Sequence, residues 1–541
     1  MTELSDARQH RAVDEAARGA LRVAAPAILL ASLLLLPFLN KPFTIDDPLF
    51  LRAAKHALVD PLHPADFEQV WNLGDRLKLS QFLMGGTLPA YVLLPVVALG
   101  GREWMAHTYQ WLLLCGFLVA SVSVVRRLGC DRRQANTVAL LIASNPVTLA
   151  MAATCMPDVM AMMFGMAGMD RLLLFHQERR WGAGLASGLL LAAAVLCRAS
   201  TVPLVLAAAL LLMPMTRKSA AEYLWPLGLA ATVVVTAFVG LNSGGAPGAT
   251  VGTAFQTLTA TRYVPRNLVA FLCFEALTGP LLVYAVPGLG RRFAAVAAGV
   301  VAFGIVLSVV GGSSSLAEHA VQAALGVCFV LACWGIVGDL GLRRALPLVV
   351  WLGSGLVALP YVQMGAKYLL PGVPAAALLV VLHAARVDLR RYAPIMALLV
   401  VLGCISGVLI VIGDTTLASS QREAVERLVV PRIHPGSTVW AGGQWTFLAD
   451  AEDAGAKALA NTPPLPNPGD YIVVSRLSYF GLLGQMPIHL EPVDAWTDDR
   501  CGVFVLNREL GAGFFSNHWG YLPFAIGCEA VDTYDTYRVS P

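Results

Sequence analysis

Charged residues are scarce in this chain. Asp, Glu, Lys and Arg make up 13% of its 541 residues, whereas 57% are hydrophobic. Soluble domains carry about 25% charged residues, so this composition excludes an ordinary soluble protein. The net charge is only +3, and without a Lys/Arg-rich run it excludes a nucleic-acid-binding surface. The composition instead predicts an α-helical polytopic membrane protein.

The sequence also lacks the motifs of nucleotide and zinc chemistry. It has no P-loop, no G-x-G-x-x-G between a strand and a helix, and no Cys/His spacing typical of zinc. The N-terminus lacks the short apolar core and small-residue cleavage site of a signal peptide. Its arginines, among them Arg18 and Arg22, indicate a cytoplasmic tail, residues 1–21, before a retained helix.

Long apolar runs fill most of the chain. A membrane-crossing helix needs about 20 apolar residues, or somewhat fewer inside a bundle. On this basis the sequence predicts about thirteen transmembrane helices within residues 22–413. They are expected at about 22–40, 104–125, 135–153, 158–175, 183–197, 199–214, 222–241, 266–287, 293–311, 317–337, 345–363, 368–385 and 393–413.

Basic residues indicate the orientation of these helices, because short cytoplasmic loops collect Lys and Arg. Six loops on one predicted side carry such residues: Arg126/Arg127 with Arg132/Arg133, Arg179/Arg180, Arg217/Lys218, Arg291/Arg292, Arg343/Arg344 and Arg390/Arg391. If the apolar stretch 83–100 crossed the membrane, every later loop would lie on the opposite side. It is therefore predicted to lie at the membrane interface on the outer side or to be re-entrant. Residues 41–103 then form one large outer loop with interfacial helices. The expected location is a bacterial-type inner (plasma) membrane, with the N-terminus in the cytoplasm.

Thirteen crossings place the C-terminal region, residues 414–541, outside. There "STVWAGGQ", "DYIVVSR" and "CGVFVLNREL" read as strands, and "TFLADAEDAGAKALA" reads as a helix. These patterns predict a small extracytoplasmic α/β domain. Cys501 and Cys528 lie in it, and an oxidising compartment would permit them to form a disulfide, although the sequence leaves their pairing open.

Acidic residues beside predicted helix ends are the first candidates for chemistry. Asp46 and Asp47 follow the first apolar run, and Asp158 opens the fourth predicted helix on the same outer side. All three also fit helix N-caps, since Pro48 and Pro157 mark first helical turns. Ionisable groups at membrane boundaries are nevertheless functional candidates, and two acidic sites on one face indicate a reaction centre.

Basic residues on that predicted face are few. Arg198 interrupts an apolar stretch, with only Ser200 and Thr201 as polar neighbours in sequence, and this favours an anionic partner over snorkelling to the headgroups. Lys367 precedes the twelfth helix, and Arg262 and Arg266 flank "YVP" in an outer loop. Carboxylates beside cations suit a reaction in which a lipid-linked phosphate leaves and an acceptor gives up a proton.

Taken together, these motifs give residues 20–413 a resemblance to a known family. The acidic pair, "MPDVMAMMFGM" and "KYLLPGVPAAALL" resemble GT-C glycosyltransferases of family 39, relatives of protein O-mannosyltransferases and aminoarabinose transferase. The resemblance implies that Asp46 is the general base. Asp47 stands where the family usually has Glu, so the resemblance leaves its role open.

The same resemblance assigns further residues. It implies that Arg198, Lys367 and Tyr368 grip the phosphate of the donor. "PLHPADF" stands where relatives show His-Pro-Pro, which makes His63 the one candidate ligand for a divalent metal that the sequence otherwise leaves open.

The expected activity is inverting transfer of a sugar from a polyprenyl-phosphate carrier to a lipid, glycan or protein acceptor on the outer face. Another lipid-phosphate-dependent transferase or ligase of envelope glycans remains an alternative. A transporter or a membrane-anchored scaffold is less favoured, because no inverted repeat is evident and the acidic residues lie at helix ends instead of the membrane midplane.

The topology generates a first prediction. A cysteine placed at Ala454 should react with a membrane-impermeant thiol reagent only from the outer side, and one placed at Asp131 only from the inner side, because the arginine-bearing loops define the cytoplasm. Labelling of both positions from the same side would contradict the parity of the predicted helices and the interfacial placement of residues 83–100.

Overall fold

The computed structural model describes residues 2–71, 74–82, 87–212, 221–241, 261–281, 316–387, 389–479, 481 and 483–541. Helices dominate up to residue 432, and strands dominate after residue 439. The α-helices among all the described residues are α1 Thr2–Leu35, α2 Asp47–Ala57, α3 Leu79–Phe82, α4 Leu88–Val92, α5 Leu94–Ala98, α6 Glu103–Arg127, α7 Arg132–Ser144, α8 Pro146–Ala152, α9 Pro157–Glu178, α10 Trp181–Cys197, α11 Val202–Leu212, α12 Ala221–Leu241, α13 Val264–Thr278, α14 Leu316–Leu340, α15 Leu342–Leu352, α16 Val373–Val387, α17 Leu389–Ala424 and α18 Trp445–Asp453.

Several of these helices can cross a membrane. Among the described residues five helical segments are long and apolar enough: Gly19–Phe38, Glu103–Arg127, Pro157–Glu178, Ala366–Val387 and Tyr392–Arg432. The pair α7 and α8 would make a sixth, although it bends by 62°. The chain is thus a mostly helical membrane protein, and the count of about thirteen stays a prediction. The predicted helix at 293–311 lies outside the described residues.

The bend between α7 and α8 has a local cause. Asn145 has extended dihedral angles, as expected for a residue before proline, and Pro146 starts the second helix. The Asn145 side chain caps α8 by accepting hydrogen bonds from the Val147 and Thr148 backbone N–H groups, at 2.9 and 3.3 Å. It also donates to the Thr278 carbonyl at 2.8 Å. The broken helix is therefore held by defined polar contacts.

The first long loop is largely structured. It contains α2, an antiparallel hairpin of β1 (Glu68–Trp71) and β2 (Asp75–Lys78), and the short helices α3 to α5. Within the predicted interfacial stretch 83–100, the described helices α4 and α5 have five residues each. A helix of that length spans only about 8 Å, so neither can cross a bilayer.

The helix that contains the last predicted crossing, α17, is longer than expected. Residues 414–424 continue α17, and a π-turn Val425–Val429 and a 3-10 turn Val430–Arg432 extend it. The expected domain boundary at 413/414 therefore lies inside a helix. The physical reason is that no helix-breaking Pro or Gly occurs between Gly413 and Pro431.

The C-terminal region contains a mixed five-stranded sheet with strand order β4-β3-β5-β11-β6. Its strands are β3 Val439–Gly442, β4 Lys457–Ala458, β5 Tyr471–Ser475, β6 His489–Asp498 and β11 Asp532–Ser540. The stretches "STVWAGGQ" and "DYIVVSR" form the parallel neighbours β3 and β5. The helix expected from "TFLADAEDAGAKALA" ends at Asp453, and its last residues form β4 instead.

Two strand expectations need correction. "CGVFVLNREL" does not form one strand, because its halves β7 (Gly502–Phe504) and β8 (Leu506–Asn507) pair with different partners, β10 (Ala525–Gly527) and β9 (Ala512–Gly513). The long strand β6 was not predicted, since Pro492 interrupts its pattern. Proline is tolerated there because β6 lies at the edge of the sheet and pairs with β11 beside a register shift. Cys501 and Cys528 form a disulfide next to these short strands.

A buried ion pair joins the two ends of the helical region. Lys41, just after the first membrane helix, donates to Asp414 in α17 at 2.6 Å, and both side chains are almost fully buried. Thr44 donates to the other oxygen of Asp414 at 2.8 Å. Removing one partner of such a pair typically costs about 3–5 kcal/mol, so this contact fixes the start of the first loop against the last helix.

Candidate active site

Asp46 and Asp47 lie at the start of α2 and have different surroundings. Asp47 is fully buried, and its two oxygens accept hydrogen bonds from the backbone N–H groups of Thr44 (3.1 Å) and Cys155 (2.7 Å). The Asp46 side chain keeps 23% of its surface exposed. It precedes α2 without capping it through its side chain. The alternative that the Asp46 side chain caps α2 is therefore wrong, and Asp46 is the more accessible of the two carboxylates.

The backbone before Asp46 is strained. Ile45 has φ of +46°, a conformation that costs a β-branched residue on the order of 1–3 kcal/mol. Such strain persists only where neighbouring contacts impose it. Here the Asp47 bonds and the Lys41–Asp414 pair hold the residues on both sides. The strain and these contacts together fix the direction in which the Asp46 carboxylate leaves the chain.

Burial raises the pKa of Asp47 to about 7, although Lys41 and the two N–H donors act in the opposite direction. A carboxyl with this raised pKa releases its proton less readily in the folded chain than in the unfolded one. The contribution of Asp47 to stability therefore falls as the pH rises through about 7. The two hydrogen bonds that Asp47 accepts from backbone N–H groups make it a positioning group. Its acidity does not enter this role.

A second carboxylate, Asp158, meets Arg198 across a helical hairpin. Asp158 lies in the first turn of α9, and Arg198 directly follows the last residue of the antiparallel neighbour α10. The Arg198 Nε lies 2.9 Å from Asp158 Oδ1. This contact lacks hydrogen-bond geometry, and Asp158 Oδ2 has no hydrogen-bond partner among the described residues. Since buried polar atoms are usually satisfied, the unpaired oxygen calls for a functional explanation.

Arg198 has no acidic neighbour in sequence, but the fold brings Asp158 to it. Asp158 is 40 positions away in sequence, and only the close antiparallel packing of α9 and α10 brings the two side chains together. The contact also agrees with the helix dipoles, because it places an anion at one helix start and a cation at the other helix end.

Lys367 links the first acidic residue to α9. Its Nζ donates to Asp46 Oδ2 at 3.0 Å and lies 3.9 Å from the sulfur of Met156, the residue before α9. Lys367 belongs to the 3-10 segment Ala366–Gly372 before α16. The next residue, Tyr368, places its ring 5.0 Å from the guanidinium carbon of Arg198. The two ion pairs therefore adjoin through Lys367 and Tyr368.

The structure thus brings together five of the residues that the sequence singles out: Asp46, Asp158, Arg198, Lys367 and Tyr368. Two carboxylates face two cations, and all four charges interact electrostatically. This charge-balanced group is called the four-charge cluster below. Its opposite charges can act separately, with a carboxylate accepting a proton and a cation binding an anion.

Other predicted residues lie apart from the four-charge cluster. Arg262 and Arg266 contact the ring of Tyr263, and Arg266 also donates to the Val362 carbonyl. His63 contacts Asp60 in an exposed turn, with 3.2 Å between Nδ1 and Oδ2. No group of three His, Cys, Asp or Glu side chains suitable for a metal occurs in the described part of the chain. His63 therefore has no metal-ligand cluster around it among the described residues.

Several residues that position the site have no motif in the sequence. Lys41, Thr44 and Asp414 anchor the first loop, as described above. The C-terminal region holds the segment before Lys367, because Asn517 accepts from the Met364 N–H at 2.9 Å and donates to Asn267 at 2.9 Å. Lys41 and Asp414 could have been noticed in the sequence, because each is a charged residue beside an apolar run. The sequence does not show that the two residues pair with each other.

The chain is similar to several solved structures. The chain is similar in structure to ArnT from Cupriavidus metallidurans bound to undecaprenyl phosphate, with 13% sequence identity and a TM-score of 0.45, over 87% of this chain and 96% of that chain. It is also similar to the arabinofuranosyltransferase AftD from Mycobacteria, with 14% identity and a TM-score of 0.43, over 97% of this chain and 40% of that chain.

A third similar structure is the oligosaccharyltransferase of Archaeoglobus fulgidus in complex with zinc and sulfate, with 14% identity and a TM-score of 0.37, over 84% of this chain and 68% of that chain. No protein-family model and no curated protein sequence matches the chain. Similarity at this level does not assign an activity, so the activity is inferred from the site itself.

The surroundings of Asp47 generate a stability prediction. Asp47→Ala should lower the free energy of unfolding by about 2–5 kcal/mol, because it leaves two buried N–H donors without an acceptor. Asp47→Asn should cost less, since one carbonyl oxygen remains. Thermal unfolding in detergent measures both effects. Asp75→Ala, an exposed aspartate of the same loop, is the matched control and should be near neutral. Equal losses for Asp47→Ala and the control would contradict the positioning role.

Proposed function

We propose that this protein is a membrane glycosyltransferase of the GT-C class. It transfers a sugar from a polyprenyl-phosphate carrier to an acceptor on the outer face of a bacterial-type inner membrane, with inversion at the anomeric carbon. The observation that carries the proposal is the four-charge cluster, in which a partly exposed carboxylate, Asp46, contacts the buried cation Lys367 next to the Arg198–Asp158 pair. The sequence resemblance to family 39 supports it, because its key positions are the members of this cluster.

Asp46 is the proposed general base. Its Oδ2 contacts Lys367, which leaves Oδ1 to accept a proton from the acceptor hydroxyl or amine. As that proton moves to Asp46, the acceptor atom forms a bond to the anomeric carbon of the sugar. The bond from that carbon to the phosphate oxygen breaks, and the electron pair leaves with the phosphate. A positioned base contributes about 10²–10⁴-fold to such a step.

Arg198 and Lys367 are the proposed phosphate-binding groups. The leaving phosphate gains negative charge as its bond to the sugar breaks, and cations placed at that point stabilise the transition state. A guanidinium carries five N–H donors, so the contact of Arg198 Nε with Asp158 leaves its terminal amino groups for phosphate oxygens. Tyr368 orients Arg198 by contact with its ring. No step in this proposal requires a metal.

Asp47 and Asp158 are proposed as supporting carboxylates. Asp47 fixes the backbone on which Asp46 stands. Asp158 holds Arg198 in place, and its Oδ2 is a buried acceptor that lacks a hydrogen-bond partner among the described residues. Arg262 and Arg266 are proposed as outer contacts of the donor, since Arg266 binds the carbonyl of Val362 in the segment before Lys367.

The placement of this chemistry matches the proposed organisation of the chain. A cytoplasmic tail at 1–21 precedes a transmembrane domain that begins at residue 22 and whose first loop, 41–103, carries Asp46. Its last helix, α17, continues past residue 413 and leads into the outer domain, which contains the C-terminal sheet. A polyprenyl donor is held in the membrane by its tail, so a cluster at helix ends lies where its phosphate would reach the surface. The acceptor is a lipid, a glycan or a protein.

The base assignment generates a kinetic prediction. Asp46→Asn should lower turnover by about 10²–10⁴-fold, because the amide cannot accept the acceptor proton. The measurement is transfer of radiolabel from a panel of polyprenyl-phosphate sugars into membrane fractions, normalised to the amount of folded enzyme. Asp60→Asn, at an exposed loop residue, is the matched control and should leave transfer unchanged. Transfer by Asp46→Asn at the wild-type rate would remove Asp46 from the mechanism.

The phosphate-binding assignment generates a binding prediction. Undecaprenyl phosphate should raise the melting temperature of the wild-type protein in detergent, because a ligand that binds only the folded state stabilises it. Arg198→Lys should keep part of this shift, since lysine retains the charge but loses the bidentate fork. Arg198→Ala should lose it, and Lys367→Ala should show a smaller loss.

The comparison uses the shift between samples with and without lipid, so a lower starting stability of a variant does not matter. Arg476→Ala removes an exposed arginine of the C-terminal region that pairs with Asp535, and its shift should equal that of the wild type. No shift in the wild type, or an equal shift in Arg198→Ala, would overturn the donor assignment. A transporter that does not bind the carrier would also show no shift.

A further inference from the structure

The residues that lead into Lys367 have no regular secondary structure of their own. Residues 359–365 lie between two 3-10 segments, Gly353–Ala358 and Ala366–Gly372. Met364, Gly365 and Ala366 are buried. Buried backbone N–H and C=O groups need hydrogen-bond partners, and a segment without helix or strand structure must find them elsewhere in the chain. The position of Lys367 therefore depends on what binds this backbone.

A loop of the C-terminal region, residues 514–518, supplies those partners. It directly follows strand β9 and is called the 514–518 loop below. The Ala366 N–H donates to the Phe514 carbonyl, and the Asn517 N–H donates to the Met364 carbonyl, both at 2.7 Å. The Asn517 side chain accepts a third hydrogen bond, from the Met364 N–H at 2.9 Å. These bonds join the approach to Lys367 to a segment that is distant in sequence.

The two segments also approach each other closely at Gly365. A Cβ atom at this position would clash with the backbone carbonyl of Phe515. That carbonyl cannot move aside freely, because the hydrogen bonds of Phe514 and Asn517 hold the backbone on either side of it. Glycine is therefore needed here for the close approach of two backbones. The loop also reaches the ammonium group itself, since the centroid of the buried Phe515 ring lies 6.0 Å from Lys367 Nζ.

Asn517 also connects this loop to helix α13. Its Nδ2 donates to Asn267 Oδ1 at 2.9 Å. Asn267 in turn donates to the carbonyls of Leu359 and Tyr361, at 2.8 and 2.7 Å. Both asparagines are buried, so loss of the Asn517 side chain would leave a backbone N–H and an amide oxygen without a partner. Asn517 is thus the point at which the loop, α13 and the approach to Lys367 are joined.

The contacts of the Lys367 side chain do not fix it by themselves. In the part of the chain that the structure describes, the oxygen that accepts a hydrogen bond from its Nζ belongs to Asp46. The other neighbours are the sulfur of Met156, at 3.9 Å, and the rings of Tyr368 and Phe515. A lysine side chain is a flexible stem, so the place of its ammonium group follows the place of its backbone. Small displacements of a binding group strongly reduce its effect.

We infer that Asn517 is a positioning residue of the donor site, and that the 514–518 loop holds Lys367 where it binds the phosphate of the donor. The C-terminal region is then a working part of the donor site, although the site lies at the ends of membrane helices. The inference rests on the proposed function and deepens it, because it assigns control of donor affinity to a loop outside the helical region.

Binding of undecaprenyl phosphate to the full chain in detergent tests this inference. Asn517→Ala should raise the dissociation constant by about tenfold, because the approach to Lys367 loses its anchor. Gly365→Ala should have a similar effect, since the added methyl group pushes the 514–518 loop away. Wild-type affinity in either variant would overturn the inference.

Two control variants separate this effect from a general loss of stability. Asp470→Ala removes the acceptor of a buried hydrogen bond from Trp440 Nε1 (2.9 Å), elsewhere in the C-terminal region. It should lower the melting temperature and leave the affinity for undecaprenyl phosphate unchanged. Gly338→Ala adds a methyl group where no atom lies within 4 Å, and it should change neither quantity. A loss of affinity in Asp470→Ala equal to that in Asn517→Ala would overturn the positioning role.

A double-mutant cycle shows whether Asn517 acts through Lys367. In the Lys367→Ala background, Asn517→Ala should weaken binding by less than about twofold, because the ammonium group that it positions is gone. Equal factors in the two backgrounds would overturn the inference and leave the donor assignment intact. Gly365→Ala takes the place of Asn517→Ala in the same cycle if the latter does not fold. No binding of undecaprenyl phosphate by the wild-type protein would instead overturn the proposed function.

Discussion

The buried carboxylate of Asp47 ties the first loop to the helical bundle, and the rest of the site depends on this tie. Its two oxygens bind backbone N–H groups of residues 44 and 155, which belong to different parts of the chain. The second of these lies just before α9. The Asp47 side chain thus sets the distance between the loop segment that carries Asp46 and helix α9, which carries Asp158. Its full burial makes the tie strong, since an unpaired donor there has no access to water.

A second tie, the Lys41–Asp414 pair, connects this loop with the helix leading into the C-terminal region. That region returns to the site twice, through the Thr446 hydroxyl, which donates to the Phe43 carbonyl, and through the contacts of Asn517 near Lys367. The four-charge cluster therefore has support from the first loop, the α9–α10 hairpin and the C-terminal region. A site supported from three directions can hold opposite charges close together while leaving Asp46 accessible.

The same arrangement explains the division of work between two adjacent aspartates. Asp47 points into the bundle and satisfies backbone donors, whereas Asp46 stays partly exposed beside Lys367. Adjacent residues at a helix start point in different directions, so one can serve structure while the other serves chemistry. Ile45 bears the strain of this turn.

The sequence alone determined the membrane character and most helix positions, and it singled out the polar residues that the four-charge cluster brings together, because apolar runs and isolated charges within them are local signals. It did not determine that Arg198 pairs with Asp158 or that Lys367 pairs with Asp46, which is 321 positions away. It also missed strand β6, whose proline is acceptable only at a sheet edge, and the continuation of α17 beyond residue 413. Only the tertiary structure decides such features, because a charge pair or a strand edge depends on which distant segments pack together.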